Sequence, residues 1–315
     1  MHDSPLKKCD YDPPRDHGDP PGAEAENVGS GVDVARHITQ FLELLYGSAD
    51  RGHLVLWAKQ NKKSLWYPAS ALEEIGREAA RLAQTCDIYF GVGLQDKEAA
   101  QNVQSKRSNG KSDLSHTRGF TETVVSIPGL WLDVDVRDKA HAELNLPPTK
   151  NDAVELVNEF PLAPTILVDS GHGLHGYWLF REPLTIDSKE ERDEAQDLVR
   201  RFQRTLQGIA AKWGWKIDNT SDLARVLRLP GTMNRKKEPV RVRMIECHEE
   251  RRYNPCDFEP YLVDDAAQVD PSESRSPHAP VRCLPEIEPI VAGCAWMRHC
   301  RDDAAQLPEP EWYAM

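Results

Sequence analysis

Long apolar runs, a secretion signal and a regular cysteine framework are all missing from this sequence of 315 residues. No stretch approaches the roughly 18 consecutive apolar residues of a membrane-spanning helix, and the N-terminus lacks a basic segment followed by an apolar one. The seven cysteines are irregularly spaced and form no CxxC pair. These absences predict a cytoplasmic protein with no membrane partner and no disulfide scaffold. A zinc site that includes Cys247, His248 and Cys256 stays open, although spacing places no fourth ligand.

Positive charge is also scarce. The sequence contains 39 Lys and Arg but 51 Asp and Glu, which gives a net charge of −12. That balance argues against a histone-like nucleic-acid coat, but the charge is uneven: residues 1–32 carry −4, residues 264–315 carry −6 and residues 33–263 only −2. Basic side chains gather at 101–120 and at 225–243. Two basic segments in a nearly neutral body favour a polyanionic ligand, although two solvated faces would give the same pattern.

Composition divides the chain into four parts. Residues 1–32 and 264–292 are rich in Pro, Gly, Asp and Ser, which predicts a disordered N-terminal tail and a linker. Residues 33–263 carry enough apolar sequence for one large domain. Residues 293–315 form the fourth part.

Hydrophobic periodicity predicts helices and strands in mixed order. Helices are expected at 33–45, 72–82, 151–160 and 195–209, and strands at 53–67, 88–94, 124–136 with a break at Pro128-Gly129, 165–168, 174–180 and 239–245. A polar loop is expected at about 95–119, and no internal repeat is found. Because strands and helices do not alternate strictly, the sequence favours the α+β class.

The first chemical motif is an acid pair in Trp131-Leu-Asp-Val-Asp-Val136. Side chains at i and i+2 of a strand share a face, so Asp133 and Asp135 point the same way. Two neighbouring carboxylates repel each other unless a cation lies between them, and oxygen ligands favour Mg²⁺ or Mn²⁺. A solvated strand end with two acids is the alternative.

The second motif is a glycine-rich turn that begins at Asp169. Three glycines within six positions, from Gly171 onwards, expose backbone N–H groups to an anion. Ser170 and His175 could add donors to a triphosphate, while His172 lies on the turn itself. A plain hairpin with a buried Trp178 is the alternative.

The third motif joins an acid to a basic segment. Asp218 follows Ile217, with Asp222 close behind, and a Pro-Gly turn then separates two basic stretches. Arg228, Asn234 and Lys236 could neutralise or hydrogen-bond phosphate. An acidic turn followed by a solvated basic face is the alternative.

The ordered set of motifs resembles the archaeo-eukaryotic primase superfamily, in particular the primase-polymerases of phages, plasmids and other mobile elements. The resemblance covers roughly residues 85–245 and includes "DIYFGVGL", "IPGLWLDVD", "SGHGLHGYW" and "RVLRLPGTMNRK". It implies an RRM-like catalytic sheet at about 121–263, packed with a smaller N-terminal α/β module at about 33–120. It also implies that residues 293–315 are the start of a helical region that is cut short. We therefore expect a truncated piece of a longer parent protein with further C-terminal domains, among which a helicase is one option. Ser170 lies five residues before His175 rather than at the compact SxH spacing, so His172 stays a competitor.

The resemblance also implies roles for individual residues. Asp133, Asp135 and Asp218 match the metal-binding carboxylates, although Asp222 competes with Asp218. His175 matches the nucleotide-binding histidine. The phosphate-binding positions are matched by Ser170, Gly171, His175, Arg228, Asn234 and Lys236.

The implied reaction is template-directed nucleotidyl transfer from NTP or dNTP with two divalent ions, Mg²⁺ or Mn²⁺, on a single-stranded DNA template and primer. Two rivals remain. A metal-dependent nuclease or replication-initiator nickase is disfavoured because His172-x-x-His175 lacks the His-hydrophobic-His spacing of nickases. A non-enzymatic RRM-like module is disfavoured because paired aspartates on its open face would repel phosphate in the absence of a metal.

Overall fold

Residues 31–137 and 145–263 are described by the computed structural model. The predicted linker at 264–292 and the predicted helical start at 293–315 lie outside these residues, and so does all of the predicted N-terminal tail except its last two positions. Those two, Gly31 and Val32, already belong to the first helix.

Five helices and eleven strands make up the described residues. The helices are α1 Gly31–Tyr46, α2 Leu72–Leu82, α3 Lys97–Arg107, α4 Lys150–Asn158 and α5 Lys189–Lys212. The strands are β1 His53–Ala58, β2 Lys63–Pro68, β3 Ile88–Gly91, β4 Leu94–Gln95, β5 Val124–Asp135, β6 Ile166–Asp169, β7 Gly173–Thr185, β8 Val226–Arg228, β9 Met233–Asn234, β10 Val240–Arg241 and β11 Arg243–Cys247. Among the described helices, none is long and apolar enough to cross a lipid bilayer.

One antiparallel sheet joins nine of these strands in the order β11-β6-β7-β5-β4-β1-β3-β8, with β2 paired to β1. The predicted N-terminal and C-terminal modules therefore share this sheet: β4 pairs with β5, and β8 returns from the C-terminal half to pair with β3. Strands β9 and β10 form a separate hairpin. The mixture of helices with an antiparallel sheet confirms the α+β class.

Large aromatic side chains fill the two faces of the β5–β7 part of the sheet. On one face Trp178 packs against Phe202 of α5 at 4.9 Å between ring centroids. On the other, Phe41 of α1 contacts both Tyr177, at 5.7 Å, and Phe90, at 5.4 Å. Helix α1 thus links the β7 face that carries Tyr177 to strand β3.

The predicted loop at about 95–119 contains a helix, α3, and this prediction was wrong over Lys97–Arg107. The helix begins after Asp96, whose side chain accepts a hydrogen bond from the backbone N–H of Ala99 at 2.9 Å. Ala100 is its one wholly buried residue. A helix that buries so little leaves no apolar periodicity in the sequence, which explains the omission.

Strand β5 continues through Pro128, where the sequence predicts a break. Its register against β7 shifts between Ile127 and Gly129, which is a β-bulge. A Cβ atom built on Gly129 would lie 2.1 Å from the carbonyl oxygen of Trp178. Glycine therefore allows the strands to meet at the bulge, and β5 is long enough to carry the acid pair at its far end.

Candidate active site

The acid pair lies at the end of β5, as alternation along a strand requires. Leu132 and Val134 are fully buried, whereas Asp133 and Asp135 are partly exposed and point to the opposite face. The Asp133 side chain is 25 % exposed. Both carboxylates are therefore open to a ligand from the same side of the sheet.

His175 faces Asp133 across the β5–β7 pair. The two residues are direct partners in the register, and His175 Nε2 lies 3.4 Å from Asp133 Oδ1. The His175 side chain is only 3 % exposed, and its Nδ1 is buried without a hydrogen-bond partner. Burial lowers the pKa of His175, which outweighs the opposite effect of Asp133, while Arg228 and Arg225 lower it further. The imidazole is therefore held in its neutral form beside a carboxylate.

Two arginines from the basic segment approach this pair. Arg225 Nη2 lies 3.4 Å from Asp133 Oδ2, a long contact that leaves the ion pair loose. Arg228 lies on β8 with 11 % of its side chain exposed, and its guanidinium lies over the ring of Tyr89 at 4.8 Å. Acidic and basic side chains thus converge on one small area, as a metal–triphosphate complex requires.

Asp87 fixes the position of Arg228 and was missed by the sequence analysis. Its side chain is 1 % exposed, and its Oδ2 accepts a hydrogen bond from Arg228 Nη1 at 3.2 Å. Its Oδ1 accepts a second bond from the backbone N–H of Arg235 at 2.9 Å. The signal that could have found it is a charged residue inside the apolar run "CDIYFGV", because a buried charge needs a partner.

The glycine-rich turn joins β6 to β7 and is held by Asn234. Gly171 adopts a φ of +96°, which favours glycine, and its N–H donates to Asp169 Oδ1 at 2.8 Å. Asn234 is 2 % exposed and donates from Nδ2 to the carbonyl of Ser170 at 2.7 Å, while its Oδ1 accepts from the Lys236 N–H at 3.0 Å. The contacts of Asn234 tie two loops together, so its phosphate contact stays a prediction.

Lys236 and Ser170 differ in their exposure to a ligand. Lys236 is exposed, whereas Ser170 is 6 % exposed with its N–H bonded to the carbonyl of Gly173 at 3.0 Å. His172 lies on the turn and is half-buried. The structure brings His175 to Asp133. The choice between His175 and His172 as the nucleotide-binding histidine stays a prediction.

The third carboxylate lies on the loop after α5. Asp218 is exposed, next to the buried Ile217. Asp222 is also exposed, but its Oδ1 accepts hydrogen bonds from the Thr121 hydroxyl and from the Ala224 N–H. Since the carboxylate of Asp222 is already hydrogen-bonded within the loop, Asp218 stays the better candidate for the third carboxylate. Its approach to the acid pair stays a prediction.

A divalent ion fits Asp133 and Asp135 by donor chemistry. Mg²⁺ is usually held by one or two carboxylates together with water and substrate phosphates, so two partly exposed carboxylates on one strand face suffice. The 3.4 Å contacts of Asp133 are loose enough to be exchanged for such an ion. Within residues 31–137 and 145–263, no three His, Cys, Asp or Glu side chains gather into a ready-made metal group. The third metal ligand and any zinc site at Cys247 therefore stay predictions.

Comparison with known proteins finds likeness in structure alone. No protein-family model and no curated protein matches the chain. The AEP domain of the cyanophage S-2L primase-polymerase is 15% identical, with a TM-score of 0.47 over 72% of this chain and 97% of that one. The catalytic domain of the primase RepB' in complex with initiator DNA is 11% identical, with a TM-score of 0.40 over 70% of this chain and 90% of that one. These likenesses concern the fold alone.

Proposed function

We propose that this chain is a primase-polymerase that transfers nucleotides from NTP or dNTP to a growing strand on a single-stranded DNA template. One observation carries the proposal. Asp133 and His175 are paired across two central strands, Arg225 of the basic segment contacts Asp133, and the charge of Arg228 acts on His175. Acids for a cation and bases for phosphates in one place are what phosphoryl chemistry on a metal–triphosphate substrate needs.

Each side chain has a distinct task in this proposal. Arg228, held by Asp87 and Tyr89, offers its remaining N–H groups to the triphosphate without having to be reorganised. Arg225 can leave the loose contact with Asp133 and neutralise phosphate. The neutral His175 can donate one hydrogen bond to a phosphate oxygen. A divalent ion held by Asp133 and Asp135 would supply charge neutralisation at the reacting phosphate.

The proposed partners follow from the reaction. The substrates are a nucleoside triphosphate and a single-stranded template with a primer, and Mg²⁺ or Mn²⁺ is the proposed cofactor. The proposed site holds two divalent ions, and Asp218 would help Asp133 and Asp135 to bind the second. A helicase remains a proposed partner.

A template assay tests the proposal directly. The chain is incubated with separate NTP and dNTP pools, with and without a primer, in Mg²⁺ and in Mn²⁺. Asp133→Asn and Asp135→Asn should each reduce incorporation by at least about 100-fold, because the divalent ion that would neutralise the reacting phosphates loses a charged ligand. Asp193→Asn, an exposed acid on α5, is the matched control and should leave incorporation unchanged.

The same assay contains the outcomes that would contradict the proposal. Full incorporation by the Asp133→Asn and Asp135→Asn variants would remove the acid pair from the site. Cleavage of labelled single-stranded DNA in Mg²⁺ or Mn²⁺ without nucleotides would favour a nuclease instead. Binding without any incorporation would favour a non-enzymatic module. Paired comparisons of Asp218→Asn with Asp222→Asn, and of His175→Asn with His172→Asn, decide the two remaining assignments.

A further inference from the structure

A row of two aromatic side chains with an arginine at each end crosses the N-terminal part of the sheet. Trp57 of β1 is the register partner of Tyr89 on β3, and Tyr89 is the partner of Arg228 on β8, so the three side chains share one face. Arg118 lies over the outer end, 4.9 Å from the centre of the Trp57 ring. We call Arg118, Trp57, Tyr89 and Arg228 the arginine–aromatic row.

The row lies on the face of the sheet that α1 does not cover. Leu56 and Phe90, the neighbours of Trp57 and Tyr89, are fully buried on the face that packs against α1. Trp57 and Tyr89 are half-buried, and Arg118 is exposed. The ring centroids of Trp57 and Tyr89 are 5.2 Å apart, and the two ring planes are tilted by 51°. An arginine lies over each ring, Arg118 over Trp57 and Arg228 over Tyr89. Only Arg118 is exposed, so Trp57 is the ring that a ligand can reach.

Strand β8 connects the row to the candidate active site. Arg228 is the last residue of β8, and Arg225, which directly precedes the strand, lies 3.4 Å from Asp133.

The two arginines of the row are held very differently. Arg228 is bonded to the buried Asp87, so it stays in place. Arg118 is exposed, and its described contact is the one with the Trp57 ring. A cation–π contact at an exposed site is weaker than the stacking of a nucleic-acid base on an aromatic ring. A base can therefore displace Arg118 from Trp57, and the freed guanidinium can then bind the adjacent phosphate.

The charge beside the outer end suits the same ligand. The loop that carries Arg118 is attached to β2, because the Ser64 N–H donates to the Ser115 carbonyl at 2.6 Å. Lys106 and Lys111 are exposed nearby in sequence. A basic groove lined with aromatic side chains is how proteins bind single-stranded nucleic acid without reading its sequence.

We propose that the arginine–aromatic row binds the single-stranded template strand as it enters the active site, with a base against Trp57 and phosphates against Arg118. The proposal rests on the proposed function for the direction of the strand, but the binding itself needs neither metal nor nucleotide. It deepens that function by assigning the surface that receives the template.

Binding of a fluorescein-labelled oligothymidylate, measured by fluorescence anisotropy in EDTA without nucleotides, tests the row. Trp57→Ala should weaken binding about tenfold, and Trp57→Phe should restore most of it because the ring remains. Arg118→Gln should weaken binding about threefold and reduce its salt dependence by about one counterion. Trp213→Ala, an exposed tryptophan on another surface, and Arg77→Gln, an exposed arginine on α2, are the matched controls.

Wild-type affinity in Trp57→Ala, or an equal loss in Trp213→Ala, would overturn the proposal. Arg118 is exposed, so the Arg118→Gln variant should fold. If this variant binds the oligonucleotide as tightly as the wild type does, the result counts against the row even if the Trp57→Ala variant does not fold. Asp193→Asn, the control variant of the incorporation assay, should bind the oligonucleotide as the wild type does. If the row variants lose binding while the wild type shows no incorporation, the proposed function fails and the row stands. If incorporation occurs while the row variants bind normally, the row fails and the function stands.

Discussion

Burial separates the acids near the candidate site into two kinds. Asp87 is 1 % exposed and has close contacts to Arg228 and to the backbone of Arg235, so its partners are fixed by the fold. Asp133 is 25 % exposed, and its contacts with His175 and Arg225 are both 3.4 Å long. A buried carboxylate with good partners organises its surroundings, whereas a loosely paired one can exchange partners for a ligand.

Replacement of Asp87 should therefore be costly for stability. Asp87→Asn leaves the guanidinium of Arg228 buried without its countercharge, which should lower the free energy of unfolding by about 3 kcal/mol. Urea denaturation followed by circular dichroism measures the change. The control is Asp193→Asn, which removes an exposed pair with Lys189 and should cost no more than about 0.5 kcal/mol. Similar values for the two variants would show that Asp87 does not organise Arg228.

Two buried tyrosines make a second test at this scale. The Tyr46 hydroxyl donates to the carbonyls of Val92 and Gly91, at 2.7 and 3.2 Å, whereas the buried Tyr177 hydroxyl has no hydrogen-bond partner. Tyr46→Phe should lower the free energy of unfolding by about 1 kcal/mol, because two carbonyls lose their donor. Tyr177→Phe should leave it unchanged or raise it, since it removes an unsatisfied polar group. Urea denaturation at pH 7 distinguishes the two.

The same tyrosines predict how stability changes in alkali. Burial raises the pKa of Tyr46 and of Tyr177 well above the ordinary value. The folded state therefore keeps both neutral, while the unfolded chain loses their protons near pH 10, at about the model-peptide value. Stability should be constant with respect to these groups below that pH and fall as pH rises beyond it. The free energy of unfolding is measured against pH for the wild type and for a Tyr46→Phe, Tyr177→Phe double variant. Parallel curves between about pH 9 and 11 would contradict this prediction.

Elements with a strong apolar stripe could be predicted from the sequence, and those held by distant partners could not. Helix α2 spans Leu72–Leu82, as its periodicity predicts, because Ile75 and Ala79 face the core. Helix α3 was missed since it buries only Ala100. In the same way the acid pair on β5 follows from alternation within one strand, but its pairing with His175 depends on register between strands. Asp87 and Arg228 meet only because β3 and β8 are neighbours, 141 residues apart in sequence.

Two glycines should respond in opposite ways to the same substitution. Gly129→Ala places a methyl group 2.1 Å from the Trp178 carbonyl, so the bulge in β5 must open and the free energy of unfolding should fall by about 2 kcal/mol or more. Gly208 lies within α5 with no atom near its missing Cβ. Gly208→Ala should therefore raise stability by about 0.5–1 kcal/mol, since alanine favours the helix. Thermal unfolding checks both, and a stabilised Gly129→Ala variant would refute the close approach of β5 and β7.

At the scale of the whole molecule, the distribution of charge matters more than its sum. The chain carries −12, but residues 33–263, which hold the sheet and both basic segments, carry only −2. The remaining −10 belongs to residues 1–32 and 264–315. Acidic flanks repel a polyanion over a Debye length of about 10 Å at 0.1 M salt, so they should weaken its binding without contacting it.

This difference predicts that a fragment of residues 31–263 binds single-stranded DNA more tightly than the full chain does. Both bind through the same surface, but the fragment has a net charge of −2 in place of −12. At 50 mM salt the fragment's affinity should be higher, and the two affinities should converge as salt rises to about 0.5 M, because screening suppresses the repulsion. Anisotropy titrations across this range give both values. A fragment that binds more weakly at every salt concentration would show that the flanks contribute contacts, and a gap independent of salt would show that their effect is not electrostatic.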